Sequence, residues 1–269
     1  MNEFLAMRVV EGAILFGEVP NNRKSSVAAI LNEQGHGDLV TEDVPSIDND
    51  ASDAMNEFFN DIRQGTNRID WNYAFKDWGH TEINLPYEIN AQTVSYMFMS
   101  CPNLGDASNI KIIVTNNTPS MYGFCMESPS MVLPPDVTFQ RETEDDAFYI
   151  KDWTSAYAGC TSLETCKIYF GDGTQDAVTQ RNSMRNTFYG CQSLINIVFE
   201  GKGSPYKLDL SKLNNLSKES ITNLSGALLD VSEATEGNYD IKISETMLLS
   251  LSDDEKASFT NLGWNLISA

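Results

Sequence analysis

Long apolar runs are missing from this chain of 269 residues. No stretch approaches the roughly 18 to 20 apolar residues that a membrane-crossing helix needs. The start, MNEFLAMRVVEGAILFGEVP, has Glu3 where a secretory signal is basic and breaks its apolar stretch with Arg8 and Glu11, so no signal peptide is expected. Positive charge is scarce: 18 Lys and Arg stand against 38 Asp and Glu, a formal charge of −20. Such a surface repels phosphate backbones and anionic lipid, which argues against nucleic acid or membrane as partners; it suits a solubilising shell or a basic partner. His36 and His80 are the only histidines and neither stands in an HExxH pattern, so no multi-histidine zinc site is expected. His36, between two glycines, reads as a loop residue and His80 as a structural polar position. The glycines of GKGSPYK make a turn, since the Walker pattern is absent. No nucleophile stands beside a base, so no catalytic residue, cofactor or metal site is assigned. The five cysteines, Cys101, Cys125, Cys160, Cys166 and Cys191, are odd in number and form no CxxC pair, which predicts free, buried thiols.

What the chain does have is self-similarity, with 41% hydrophobic residues to build a core. YAGCTSLETCKIYF places Tyr157, Cys160, Leu163, Cys166 and Ile168 at the spacing of Phe188, Cys191, Leu194, Ile197 and Phe199 in FYGCQSLINIVFEG. FMSCPNLGDASNIKIIV supplies Phe98, Cys101 and Leu104, and YGFCMESPSMVLP supplies Tyr122, Cys125, Met131 and Leu133, with Ser128 read at the leucine place. FKDWGHTEINLP forms a degenerate first copy in which Trp78 replaces cysteine. The structural repeat positions are thus Trp78, Cys101, Cys125, Cys160 and Cys191. One strand-like run per unit of 20 to 35 residues is what stacking repeats need, because a single unit cannot bury its own face. Cysteine in this reading is a small enclosed spacer beside a corner, and replacing Cys160 or Cys191 by serine is expected to cost about 1 to 3 kcal/mol through a buried hydroxyl.

These stretches resemble the AFxGCxSLxxIxIP repeat of BspA-like leucine-rich repeat proteins over roughly residues 70 to 205. The resemblance implies a non-enzymatic surface or binding protein of the kind found in Bacteroidetes, some protozoa and bacteriophages of gut bacteria. Two intervals exceed the family's period, so residues 134–152 and 171–183 are expected to leave the stack as loops or hairpins. The C-terminal segment resembles a companion piece of such repeats. Its residues predict a helix capped by Ser217, a turn at Gly237, an alternating strand from Tyr239, a capping box of Ser252 with Glu255, a helix stop at Gly263 and a last strand in WNLIS. The first 70 residues predict three short helices, around residues 5–13, 25–35 and 49–65, joined by an acidic link.

The expected fold is therefore α+β: a helical N-terminal region over 1–70 that anchors the chain or caps the first repeat, a short leucine-rich-repeat solenoid with parallel strands over 71–205, and an α/β capping module over 206–269. On the outward face of the sheet the alternation places Asn84, Val132, Lys167, Tyr169, Val198 and Glu200, a recognition row or an ordinary solvated surface. The acids Asp48, Asp50, Asp53, Glu142 to Asp146, Asp172 and Asp176 are solvated loops or calcium ligands, none in EF-hand order. Phe148, Tyr149 and Trp153 either stack on a sugar or pack an insert. Three functions compete: a phage virion component that docks to the particle and contacts other virion proteins or a host receptor or glycan; a bacterial cell-surface binding protein; and a glycan-active enzyme using paired carboxylates, for which no spacing selects a pair. A homo-oligomer is compatible, although no heptad run supports a fibre.

Overall fold

The computed structural model describes residues 10, 27–28, 30–32, 34–40, 70–83, 88–144 and 146–268. The chain divides into two compact units, Met1–Asn67 with Ile83–Pro86, and Arg68–Glu82 with Tyr87–Ala269. In the first, Val27, Ala28 and Leu31 form the buried side of a helical stretch that closes when Gly35 N donates to Asn32 O and His36 N to Leu31 O. A 3-10 turn, Gly37–Leu39, follows. The other two expected leader helices, except for helical Val10, lie outside the described residues.

The second unit is a mixed fold with several short parallel sheets and few helices. Strands β1 (Ile89–Ala91), β2 (Lys111–Thr115) and β3 (Asp136–Gln140) form one sheet in that order. β4 (Thr165–Asp172) pairs with β6 (Asn196–Lys202), and the two-residue β5 (Asn182–Ser183) with β7 (Pro205–Tyr206). All of these pairs are parallel. The register sets Ile112 beside Val137, Cys166 beside Ile197 and Ile168 beside Phe199, so the alternation expected in CKIYF and INIVF turns their apolar residues into one core. Between residues 169 and 172 the β4–β6 register shifts. Gly201, at φ +74, sits there so close to the backbone of Gly171 that an added Cβ would lie 2.1 Å from its carbonyl oxygen.

The corners between strands repeat more strictly than the strands do. Each contains two left-handed residues four apart: Tyr73 and Asp77, Tyr96 and Ser100, Gly123 and Glu127, Ser155 and Gly159, Asn186 and Gly190. Within a corner, alternate N–H groups close turns onto the carbonyl three residues back, as Ala74 N does on Trp71 O and Lys76 N on Tyr73 O. The intervening N–H groups donate to the next corner. Phe75 N reaches Met97 O (2.8 Å), Phe98 N reaches Phe124 O (2.8 Å), Cys125 N reaches Ala156 O (2.7 Å) and Tyr157 N reaches Thr187 O (3.0 Å). Because Met97 O and Phe98 N belong to one peptide group, and likewise at each later step, the bonds form a continuous column of peptides through five corners. Parallel columns run from Tyr73 N and from Asp77 N. Peptides aligned head to tail polarise one another, so such columns strengthen cooperatively.

This geometry corrects the sequence alignment of the third copy. Its column places Cys125 at the position of Phe98, Tyr157 and Phe188, and Ser128 at the position of Cys101, Cys160 and Cys191. The ring that Cys125 lacks is supplied one residue earlier by Phe124, which is fully buried and packs edge-on against Phe98. Residue 131, a buried methionine, takes the leucine place. A second correction concerns the insert after residue 134. Its first residues form β3, paired from Asp136 to Gln140 with β2, and DVTFQ carries the alternation that MVLP was expected to carry.

The C-terminal elements follow their local signals. Helix α1 (Lys218–Gly226) is capped by Ser217; β8 (Asp240–Ile243) pairs in parallel with β9 (Asn265–Ser268); α2 (Glu245–Ser250) and α3 (Asp253–Thr260) lie between, and Ser252 and Glu255 close the capping box on α3. Trp264 is fully buried and donates Nε1–H to Leu229 O. The helix α1 also blunts the edge of β6: Ile197 N donates to Ser220 Oγ (2.9 Å) and Phe199 N to Asn223 Oδ1 (2.7 Å).

Candidate functional site

The thiols are structural groups. All five cysteines are free and buried. Cys101 Sγ donates to Phe75 O, Cys160 Sγ to Cys125 O (2.9 Å) and Cys191 Sγ to Tyr157 O (3.0 Å), each reaching the corner before its own. Ser128 Oγ makes the same bond to Phe98 O at 2.7 Å. The position therefore selects a small donor, not a sulfur. Burial pushes the thiol of Cys101 up to about 11 and that of Cys160 up to about 12, and raises Cys191, Cys125 and Cys166 as well. They stay protonated at neutral pH, as donation requires. Among the described residues no group of three or more His, Cys, Asp or Glu side chains could hold a metal ion.

The acidic loops spend their oxygens locally. Asp172 Oδ1 accepts from Thr174 N and Oγ1, Asp176 Oδ1 from Val178 N, Thr179 N and Thr179 Oγ1, and Asp146 Oδ2 from Thr143 Oγ1. Arg141 pairs with Asp172 and donates to Glu144 O, which ties the insert down. Asp48, Asp50, Asp53 and Asp145 lie outside the described residues. Phe148, Tyr149 and Trp153 are buried, so they pack the insert instead of facing a sugar. His80 lies tilted against Trp78 at a ring distance of 4.7 Å.

Of the outward row, Lys167, Tyr169, Val198 and Glu200 sit together on β4 and β6, with Lys167 opposite Val198 and Tyr169 opposite Glu200. Lys167 Nζ lies 3.6 Å from the Glu200 carboxylate. Tyr169 stacks on Phe139 at 5.7 Å, and burial raises its phenol above the usual range, with Asp172 and Glu200 adding to the effect. Val132 is not on the sheet; it lies in the turn before β3 and donates its N–H to Gly105 O. Asn84 lies outside the described residues, and the first strand begins later, with Asn90 as its exposed residue beside Ile113.

Lys167, Tyr169 and Val198 line a cleft of about 350 Å³ where the sheet is interrupted. β3 and β4 are not hydrogen-bonded neighbours. Bonds between these two repeats run from Ser162 N to Pro129 O and from Glu164 N to Val132 O, then stop at Pro134 and Pro135, which have no N–H to offer. The cleft's other walls include both prolines, Phe139 and Trp153, whose buried Nε1–H has no hydrogen-bond partner among the described residues. Apolar walls, a stacked tyrosine and an ammonium can hold an aromatic side chain or one sugar ring, with the buried Trp153 indole serving as floor. The double proline was the sequence signal for this opening.

No family model, curated protein or solved structure matches this chain. Among the described residues no helix is long and apolar enough to cross a membrane.

Proposed function

We propose that this chain is a BspA-like repeat solenoid serving as a non-catalytic structural or adhesion protein of a bacteriophage particle, with its outward sheet face binding a protein or glycan. The observation that carries the reading is the set of peptide columns through five corners, because units joined by their backbones hold a row of outward side chains at fixed spacing. The resemblance of the motif residues around Cys160 and Cys191 supports the family reading, and the cleft beside Tyr169 offers a concave, mostly apolar surface with few polar groups. Its partners in this reading are other virion proteins or a host surface receptor or glycan.

Mass spectrometry of purified particles tests the setting: a stoichiometric amount of the protein is expected, and its absence from particles removes that setting. Surface-protease shaving of bacterial cells distinguishes the cell-surface alternative. The binding face is tested on protein and glycan arrays with Lys167→Glu. Binding should fall while stability stays within about 0.5 kcal/mol of the parent, as for an exposed substitution.

A further inference from the structure

The strand edge of the last repeat is covered by α1, but the corner edge is not. The three peptide columns end at Asn186, Phe188 and Gly190, whose N–H groups donate to nothing among the described residues. At every earlier corner the equivalent groups are paired, for example at Ser155, Tyr157 and Gly159. A sixth corner begins, since Met184 N donates to Tyr206 O, but the chain then peels away. Leu208 O accepts from Lys242 N, and Leu210 N donates to Lys242 O, which diverts the segment onto β8. The divergence leaves a cleft of about 910 Å³ bounded by the terminal corner on one side and residues 206–213 and β8 on the other. Arg181 fixes the far wall by donating to Pro205 O and Asn238 O.

The charge of this cleft opposes that of the chain. Arg185, Lys207, Lys212 and Lys242 line it, all exposed, and none carries an ion pair among the described residues, although the chain as a whole bears −20. Its two carboxylates are engaged: Asp209 accepts from Ser211 N and Oγ, and Asp240 from Asn265 Nδ2. The aligned peptides add their own partial positive charge at the N–H end, as in a helix.

We propose that this cleft binds an acidic, extended segment of a partner protein, which continues the corner ladder. Its alternate backbone carbonyls accept from Asn186, Phe188 and Gly190 N–H, and its carboxylates face Arg185, Lys207, Lys212 and Lys242. A polypeptide fits because the ladder's acceptors at each earlier step are peptide carbonyls two residues apart, such as Thr187 O and Tyr189 O. The site is separate from the outward sheet face and stands whether or not that face binds.

The test uses the full chain with a fluorescent glutamate-rich peptide, its glutamine counterpart and a sulfated oligosaccharide. The acidic peptide should bind saturably and more weakly as salt rises, and the glutamine peptide should bind at least about tenfold more weakly. Amide exchange at Asn186, Phe188 and Gly190 should slow on binding. The triple variant K207E/K212E/K242E should lose about tenfold or more in affinity, whereas Lys151→Glu, outside the cleft, should not. Lys212→Glu alone, at an exposed site, gives the same direction if the triple variant proves unstable. Absence of saturable binding, binding that survives charge reversal, or binding without protection of the three amides overturns the proposal. Equal binding of the oligosaccharide with those amides unprotected does so too, and assigns the cleft to polyanions generally.

Discussion

The corner side and the strand side of the same repeats are built to different tolerances. Corners stack without a gap from Trp71 to Cys191, through copies that differ in length and in many side chains. Strands stack only in groups, β1–β2–β3 and β4–β6, with a break between. The corner is held by peptide groups that every residue except proline carries, so Phe124–Cys125 can take the place that Ala156–Tyr157 holds in the next corner with the small and large side chains exchanged. A strand is held by register as well, and two consecutive prolines are enough to interrupt its bonding to the next repeat. Continuity thus resides in the backbone of the corners, and variation, including the cleft beside Tyr169, is confined to the strand side.

The sharpest way to break this contrast is to empty a corner. Phe98 is fully buried and stacks on Phe75 at 4.9 Å, so Phe98→Ala should cost about 3–5 kcal/mol in denaturant unfolding. Val137→Ala, half-buried beside the strand break, should cost much less. Equal losses would place the strands and corners on the same footing.

Cysteine substitutions sharpen the comparison next. Cys125 and Cys166 are buried with no carbonyl acceptor among the described residues, so serine there should cost about 1–3 kcal/mol. At Cys160 and Cys191 the sequence alone predicts the same loss. The structure revises it: a hydroxyl would inherit the bond that Ser128 already makes, and the cost should fall below about 1 kcal/mol. Urea midpoints of the four variants measure the difference.

The pH dependence has a definite sign. The folded-state thiols titrate above their unfolded value of about 8.5, with Cys101 near about 11 and Cys160 near about 12. Their contribution is fully present below about pH 8.5 and is lost as pH rises through the folded values, because the unfolded chain ionises first. Unfolding midpoints should therefore decline above about pH 9, and thiol reagents at neutral pH should modify the cysteines only after unfolding.

The smallest effect expected is a gain. Glu127 holds the left-handed position that Gly159 and Gly190 hold elsewhere, so Glu127→Gly should relieve strain and stabilise by about 0.5 kcal/mol. A loss would show that the Glu127 side chain contributes more than its backbone strain.

How much of this was legible follows from the same contrast. The two copies with glycine before cysteine aligned correctly, because glycine marks a left-handed residue and the leucine and strand positions follow at fixed spacing. So did the caps at Ser217 and Ser252, whose chemistry is local. With sulfur as the marker the third copy aligns three residues out of step, because the position demands a small donor and serine meets it. Asp77, Ser100 and Glu127 adopt the glycine conformation without signalling it. β3 falls inside the stretch that the long interval between repeats marks as an insert, because the double proline only delays the strand. The cleft's outward residues on β4 and β6 are legible from alternation, and Trp153 stands out as an aromatic beside acids; Phe139 does not, because the interruption of the sheet brings it there.

The most direct test is native-state amide exchange followed by NMR. Tyr96, Phe98, Ser100, Gly123, Cys125, Glu127, Ser155, Tyr157 and Gly159 should be protected together, close to the global stability, while Asn186, Phe188 and Gly190 exchange rapidly in the free protein. Rapid exchange across the interior nine, or protection that changes independently from corner to corner, would contradict a single backbone-bonded stack.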